Sequence, residues 1–363
     1  MDNYKYLMIV DWAKDYIKKN NLAPNNRFLT EKQLCEIHGV SRQTVRQALM
    51  KLENDGVIVR MRGSGTFVAE KHETANIEPV QIKGSIGVVS TYFSDYIFPH
   101  IVTGIESVLN QNGCSMQLAI THDQVSEERQ ALETMLANGV QGLIIEPSKS
   151  ALPNPNTEIY EKMRRNNLPV LFFNARYPWS DSPIAAMDDE AAGRIATNHL
   201  FDSGHRNIAG IFALDDLQGH LRYKGYMQSS LAHGVTDCEK NVYWFATSER
   251  SEMFRYAKQR LLELINSNTA VVCYNDKLAI RLLKLLRENN INVPEDVSVV
   301  SIDDSRYAAI CEVPLTSVHH PHKKLGEAAA EMILDMIKNN STTAENKLFV
   351  PQLIARSSVK KLI

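Results

Sequence analysis

Arg42, Gln43 and Arg46 are the first side chains in this sequence whose types and spacing could do chemistry. They lie in the stretch 40–52, where Val45, Ala48, Leu49 and Leu52 recur at helical spacing and predict one helix with an inward apolar stripe. Ser41 is placed to cap it, its hydroxyl accepting from the amide of Thr44. The other face carries two guanidiniums one turn apart, with Gln43 beside them and no acid nearby. Guanidiniums and amides at a helix N-terminus suit phosphate oxygens and base edges in a DNA major groove. A solvated basic face would look the same, so the neighbouring segments must decide.

A second chemical group follows the apolar runs of the remaining chain. After successive predicted strands come Tyr92, Asp95, Tyr96 and Phe98, then Glu146, Asn174, Asp215 with Asp216, Asn275 with Asp276, and Asp303 with Asp304. Acids and amides can bind several hydroxyls, and aromatic faces can stack on the C–H face of a sugar ring. The alternative is that these residues cap the helices that follow, and Asp276 before Lys277 is expected to do so. Arg222, if buried, needs an acidic partner.

The elements that position the first group read as a helix-turn-helix. A segment from Thr30 to His38 opens with a Thr cap, carries Leu34 and Ile37 as expected buried positions, and ends at Gly39, which suits a left-handed turn. An earlier helix is expected over 4–19, with Ile9, Trp12, Ala13, Tyr16 and Ile17 inward. Downstream, Val57–Met61 and Thr66–Val68 predict a hairpin whose tip, Arg62, Gly63, Ser64 and Gly65, can approach a phosphate or a minor groove. No Gly-Lys-Ser/Thr follows, so a nucleotide-binding loop is not expected.

Residues 4–68 resemble the winged-helix domain of the gluconate-repressor (GntR) family of bacterial transcription factors. The resemblance rests on Leu22 to Arg27, Leu29 to Leu34, Val40 to Arg46 and Gly63 to Val68. It implies DNA contacts from Lys5, Lys32, Ser41, Arg42, Gln43, Thr44, Arg46, Arg62, Gly63, Ser64 and Gly65. Lys32 stands where the family usually has arginine. Lysine keeps the charge and loses the planar fork, so a phosphate contact is expected there.

The positioning of the second group requires strands alternating with helices. Apolar runs at 85–90, 116–120, 142–145, 169–173, 208–212, 270–273 and 297–301, with helical stretches between, predict two doubly wound parallel sheets. Ligands in such sheets bind beyond the carboxyl ends of the strands. From Gly84 onward the chain resembles the LacI/GalR family, whose sensor shares the periplasmic sugar-binding-protein fold. The supporting runs are Val272 to Ala279, Asn292 to Asp304, Pro314 to Pro321, and Gly204-His205-Arg206. The resemblance implies that Asn275, Asp303 and Arg222 contact a small effector and that Phe98 stacks on it. Tyr92, Glu146, Lys149 and Asn174 complete the expected effector contacts. Asn174-Ala175 replaces an Asp-Arg pair found in several members, so a different hydroxyl pattern is expected there.

A GntR-type reader on a LacI-type sensor is an uncommon pairing. Together with Ile145 to Ser150 and Asp215 to Tyr226, it resembles sugar-responsive repressors of Gram-positive bacteria and implies L-arabinose as the effector. The expected organisation is a winged helix-turn-helix domain (α+β) over 1–70, a linker over 71–83 and an α/β sensor over 84–363. The sensor lobes are expected at about 84–186 plus 320–348, and 187–319 plus 349–363.

Composition sets the remaining bounds. The chain has 363 residues, 44% of them hydrophobic, enough for two or three domain cores. Up to His72 it carries twelve Lys/Arg against eight Asp/Glu, a balance of +4, which leaves −6 on the rest of a chain whose net charge is −2. A basic small domain on an acidic body suits a DNA reader attached to a module that does not touch DNA. The absence of a long apolar run or leader, and five scattered cysteines without Cys-x-x-Cys, predict a cytoplasmic protein without membrane, zinc site or disulfide framework. A homodimer on a near-palindromic operator is expected, because one winged helix covers few base pairs. Two other readings stand beside this one. A repressor controlled by a protein partner such as a phosphocarrier protein has the same frame. A Rossmann-like enzyme lacks support, because Ser90 to Ser94 holds no Gly-x-Gly-x-x-Gly and no catalytic constellation stands out. His319, His320 and His322 read as a hinge or solvated loop rather than a metal cluster, and no cofactor is expected.

Overall fold

The computed structural model describes residues 5–20, 22–24, 26–54, 57–61, 65–69, 84–93 and 96–362. The chain divides into two compact units, Met1–Pro79 and Val80–Ile363. The expected linker over 71–83 lies outside the described residues.

The first unit holds α1 (Lys5–Lys19), α2 (Glu31–His38), α3 (Arg42–Asn54), β1 (Ile58–Met61) and β2 (Gly65–Val68). Thr30 and Gln33 form a capping box at α2, and Gly39 ends that helix at φ +62°. The hydroxyl of Ser41 accepts from Thr44 N–H at 3.3 Å, as the sequence predicts. Val45, Ala48, Leu49 and Leu52 are all fully buried and pack with Ile9, Ala13 and Leu34. Ile37 is not buried, at 51% exposed. The inward row of this short helix runs from Leu34 to His38, whose ring stands edge-on to Trp12 at 4.6 Å, and Ile37 falls to one side of it. β1 and β2 pair antiparallel, Ile58 opposite Val68. Residues flanking Arg27 add a further pairing to β2, with Phe28 N–H donating to Thr66 and Val68 N–H to Asn26.

The second unit alternates strands and helices. Its first part is β3 (Ser85–Ser90), α4 (Phe98–Gln111), β4 (Ser115–Ile120), α5 (Val125–Ala137), β5 (Gly142–Ile145), α6 (Thr157–Arg165), β6 (Val170–Phe173) and β7 (Ile184–Met187). Then follow α7 (Asp189–Asp202), β8 (Ile208–Ala213), α8 (Leu217–Ala232), β9 (Val242–Phe245), α9 (Met253–Tyr256) and α10 (Lys258–Asn266). The last part is β10 (Ala270–Cys273), α11 (Asp276–Glu288), β11 (Ser298–Asp303), α12 (Arg306–Ile310), β12 (Thr316–His319), α13 (His322–Lys338), β13 (Lys347–Phe349) and β14 (Gln352–Ile354).

Two six-stranded sheets result, ordered β13-β7-β6-β5-β3-β4 and β14-β12-β11-β10-β8-β9. All pairings are parallel except β14 against β12. Each sheet is covered on both faces by apolar clusters, which explains why the central strands are apolar throughout. The chain passes between the lobes after β7, β12 and β13, and these crossovers gather at one edge of each sheet. β7, β9, β12, β13 and β14 have no counterpart among the predicted strands; all are three or four residues long. Among the described residues no helix is long and apolar enough to cross a membrane.

Candidate effector cleft and DNA-reading helix

Arg222 anchors the cleft between the two lobes. It sits on α8 where that helix meets α7 so closely that a Cβ on Gly193 would lie 2.0 Å from the Arg222 carbonyl oxygen, and one on Gly225 2.1 Å from that of Glu190. Only glycines permit this approach, and it sets the start of α7 against the Arg222 side chain. The guanidinium is 2% exposed. Its Nε donates to Asp189 Oδ1 at 2.7 Å, Nη1 to the Tyr274 carbonyl at 2.7 Å and Nη2 to Asp303 Oδ1 at 3.4 Å. Burial opposes the charge, yet Asp189 and Asp303 raise the guanidinium above its ordinary value. Burial pushes the Asp303 carboxyl up to about 7, against the pull of Arg222. The acidic partner that the sequence demands is therefore present twice, and Asp189 is one that sequence reading misses. It follows β7, whose Ile-Ala-Ala-Met run holds a single β-branched residue and so carries a weak strand signal, and its strand-end residues draw no attention.

The facing lobe presents Glu146 and Asn174. Glu146 Oε2 accepts from Ser90 Oγ at 3.0 Å, Thr91 N–H at 2.8 Å and Thr91 Oγ1 at 2.7 Å, and Oε1 from Asn174 Nδ2 at 2.7 Å. Burial raises its carboxyl, opposed by those hydrogen bonds. Asn174 is 4% exposed and its Oδ1 is buried with no donor. An acceptor left so costs free energy unless something donates to it. Asn174, Lys149 and Asp303 all adopt positive φ, at 61°, 51° and 110°. Non-glycine residues held there cluster at binding sites, where the surrounding fold over-determines them.

The cavity between these groups has a volume of about 70 Å³. Tyr92, Phe98, Glu146, Asn174, Arg222, Asn275 and Asp303 all line it, so the fold brings together seven of the eight residues expected to contact an effector. Phe98 and Tyr92 form an aromatic wall with ring centroids 6.0 Å apart. Lys149 is the eighth, and it does not line the space. Its ammonium instead contacts Asp215 Oδ2 at 2.5 Å, Thr247 Oγ1 at 2.7 Å and Asp123 Oδ2 at 3.0 Å. Asp123, Gln218, Thr247, Arg250, Tyr274 and Lys277 line the space without having been singled out from the sequence.

One further expectation changes. Asn275 rather than Asp276 caps α11, with Oδ1 accepting from Leu278 N–H at 3.0 Å. The chain already turns helical at Asp276, so its carboxylate points sideways and accepts from Ser301 Oγ at 2.5 Å, Ser317 Oγ at 2.6 Å and Ser305 N–H at 2.7 Å. At the second crossover His319 is exposed and contacts Asp304 at 2.9 Å, while His320 is 1% exposed. Among the described residues no group of His, Cys, Asp and Glu could hold a metal.

In the first unit, Arg42, Gln43 and Arg46 stand exposed along one side of α3. Ser41 and Thr44 share a hydroxyl contact of 2.9 Å at its start. The expectation of no acid near Arg46 fails: its Nε lies 3.2 Å from Glu31 Oε2, and Arg60 reaches the same carboxylate at 3.4 Å. The turn at Gly39 folds α2 back and brings Glu31 to α3 from 15 residues away. The Arg46 side chain is 66% exposed, so the pair is weak and can be exchanged for a phosphate. Lys32 is exposed and reaches Glu36 at 4.0 Å. Gly65 opens β2 at φ +121°, and the Arg27 guanidinium lies 3.4 Å from where a Cβ on it would be. Arg62, Gly63, Ser64 and the side chain of Lys5 lie outside the described residues.

A basic helix-turn-helix with a β-hairpin, on a two-lobed sensor with a polar cleft, defines a ligand-responsive transcription regulator. Residues 5–68 match the model of bacterial regulatory proteins of the gntR family, and 197–359 that of the periplasmic binding protein-like domain. The structure is similar to a GntR transcription regulator of Chromobacterium violaceum, with a TM-score of 0.65 and 26% identity over 76% of this chain and 98% of the other. It is also similar to the regulator CcpA of Lactococcus lactis, with a TM-score of 0.68 and 23% identity over 77% of this chain and all of the other. In sequence, the chain is 40% identical to the arabinose metabolism transcriptional repressor of Geobacillus stearothermophilus, over 99% of this chain and 98% of the relative. Identity to the repressor of the same name from Halalkalibacterium halodurans is 35%, over 98% and 96%. The chain belongs to this family of transcriptional repressors.

Proposed function

We propose that this repressor is released from its operator by L-arabinose bound in the interlobe cleft. The observation that carries the reading is the buried, unpaired Oδ1 of Asn174, a residue lining the cavity that holds Asp303 and Arg222 on the other lobe. A sugar hydroxyl can donate to Asn174 while others accept from Arg222 or donate to Asp303 and Glu146. Phe98 and Tyr92 offer the flat surface a pyranose C–H face needs. The names of the two full-length relatives support L-arabinose among sugars.

The same reading makes the protein a cytoplasmic homodimer, associating through residues 84–363 and placing two copies of the 1–70 reader on a near-palindromic operator. Lys5, Lys32, Ser41, Arg42, Gln43, Thr44, Arg46 and the hairpin tip contact DNA. Tyr92, Phe98, Glu146, Asn174, Arg222, Asn275 and Asp303 contact the sugar, with no cofactor and no catalytic step. A sugar touching both lobes favours closure by its differential affinity, and sugar and operator must weaken each other by the same factor. The test is fluorescence anisotropy on an operator selected from random DNA, with and without L-arabinose. A loss of operator affinity on adding the sugar is expected. An affinity that no pentose or hexose alters would sink the reading and leave control by a protein partner.

A further inference from the structure

Lys149 does not line the cavity, yet its ammonium reaches across the cleft to Asp215 and Thr247. Asp123 and Lys149 follow β4 and β5 in one lobe, and Asp215 and Thr247 follow β8 and β9 in the other. β4 and β9 are the outer strands at the sheet edges farthest from the crossovers. Contacts there act at the greatest distance from the hinge, where lobe opening separates groups most.

The four side chains form one network. The Lys149 ammonium reaches Asp215, Thr247 and Asp123, the Thr247 hydroxyl lies 2.5 Å from Asp123 Oδ2 and 2.8 Å from Asp215 Oδ2, and Thr247 N–H donates to Asp215 Oδ1 at 2.9 Å. Lys149 N–H donates to Asp123 Oδ1 at 2.9 Å, which fixes the backbone that presents the ammonium. The side chains of Lys149, Asp123 and Asp215 are 17%, 10% and 6% exposed, so the ion pairs are poorly screened by salt. Beside them Ser150 Oγ donates to Asp216 Oδ1 at 2.8 Å and accepts from Leu217 N–H at 2.8 Å, and Ala151 N–H donates to the Asp215 carbonyl at 3.3 Å. Arg250 of one lobe lies over the Tyr92 ring of the other at 5.4 Å.

We infer that Lys149 is a positioning residue: with Asp123, Asp215 and Thr247 it forms a latch that holds the lobes closed, and Lys149 itself sets the protein's affinity for every sugar without touching any. The inference rests on the reading of the cleft as the sugar site. A contact residue discriminates between sugars, whereas a latch scales them all, because each apparent affinity is multiplied by the same closed fraction. The latch also explains why lysine stands there: three donors on one ammonium can serve three acceptors from two lobes.

The experiment compares wild type with Lys149→Met, Asp215→Asn and Lys149→Arg. Calorimetric titration with L-arabinose, D-xylose and D-galactose reads affinity, and hydrogen exchange reads the interlobe amides of Ala151 and Leu217. For each sugar that wild type binds, Lys149→Met and Asp215→Asn weaken binding by a common factor of about ten. They also speed exchange at both amides while α4 and α11 keep theirs, and Lys149→Arg restores part of the affinity. Unequal factors that reorder the sugars place Lys149 in contact with the ligand and overturn the inference, as does unchanged exchange at the two amides. If wild type binds none of the three sugars, the effector reading fails on its own. Faster exchange in the variants then still supports the latch.

Discussion

The phenol of Tyr96 donates to Asp303 Oδ2 over 2.5 Å, joining two lobes through residues 207 positions apart. Both side chains are buried and both line the cavity that also holds Asn174 and Arg222. Asp303 therefore has one oxygen on the opposite lobe and the other beside the Arg222 guanidinium.

That arrangement makes Tyr96→Phe informative. Above pH 7, where Asp303 is ionised, it removes a hydrogen bond to a charged acceptor, worth about 1.5–3 kcal/mol, from the closed form. Calorimetry should show sugar affinity falling about tenfold or more while operator affinity without sugar stays at the wild-type value. Undiminished sugar binding would remove Tyr96–Asp303 from the switch.

Asp303→Ala should bind the selected operator normally and ignore L-arabinose. Asn275→Ala should do the same and also lose about 1 kcal/mol of stability, because Asn275 Oδ1 caps α11. Asn275→Asp keeps the cap acceptor and separates the two effects, read as a melting temperature near that of wild type with the sugar response still impaired.

The raised Asp303 pKa makes a signed pH prediction. Between the ordinary value of 3.8 and the folded value of about 7 the native state holds the extra proton, so stability from this group is complete below 3.8 and falls as pH rises towards 7. His322, lowered to about 4 by burial and neighbouring histidines, acts in the opposite sense, because its contribution is present above 6.5 and lost as pH falls through 4. The stability of wild type minus that of Asp303→Asn isolates the first group. Urea melts should show that difference declining from pH 4 to pH 7 and level above it; a flat difference would mean that Asp303 stays ionised throughout.

Arg222→Ala should destabilise the sensor by about 3–5 kcal/mol, because it leaves Asp189 and Asp303 buried without their counter-ion. Removing the charge as well, in Arg222→Met with Asp189→Asn, should recover much of that stability in thermal melts and none of the sugar response.

On the reader, Arg42→Ala or Arg46→Ala should cost about 1–3 kcal/mol of operator affinity if the side chain reads a base. Lys32→Ala should weaken all sequences alike and flatten the salt dependence. Glu31→Gln frees Arg46 and Arg60 from their shared carboxylate and should raise DNA affinity slightly, measured at two salt concentrations. Wild-type binding by all three basic-residue variants would mean that α3 is not the recognition helix.

What the sequence determined by itself was whatever acts over a turn or a strand. Ser41 caps α3 and Val45, Ala48, Leu49 and Leu52 fill its inner face because helical geometry alone relates residues three and four apart. Strand ends were equally legible, and with them Glu146, Asn174, Asn275 and Asp303, because parallel sheets put binding groups at carboxyl ends. Tertiary structure decided the pairings. Asp189 meets Arg222 only because glycines let α7 and α8 close on each other. Asp276 turns from an expected cap into a buried bridge between β11 and β12 because the helix begins one residue earlier than its acid suggests. Lys149 leaves the cavity for Asp215 and Thr247, residues 66 and 98 positions away. No local pattern encodes such contacts, because their geometry is set by how two separately wound sheets face each other across three crossovers.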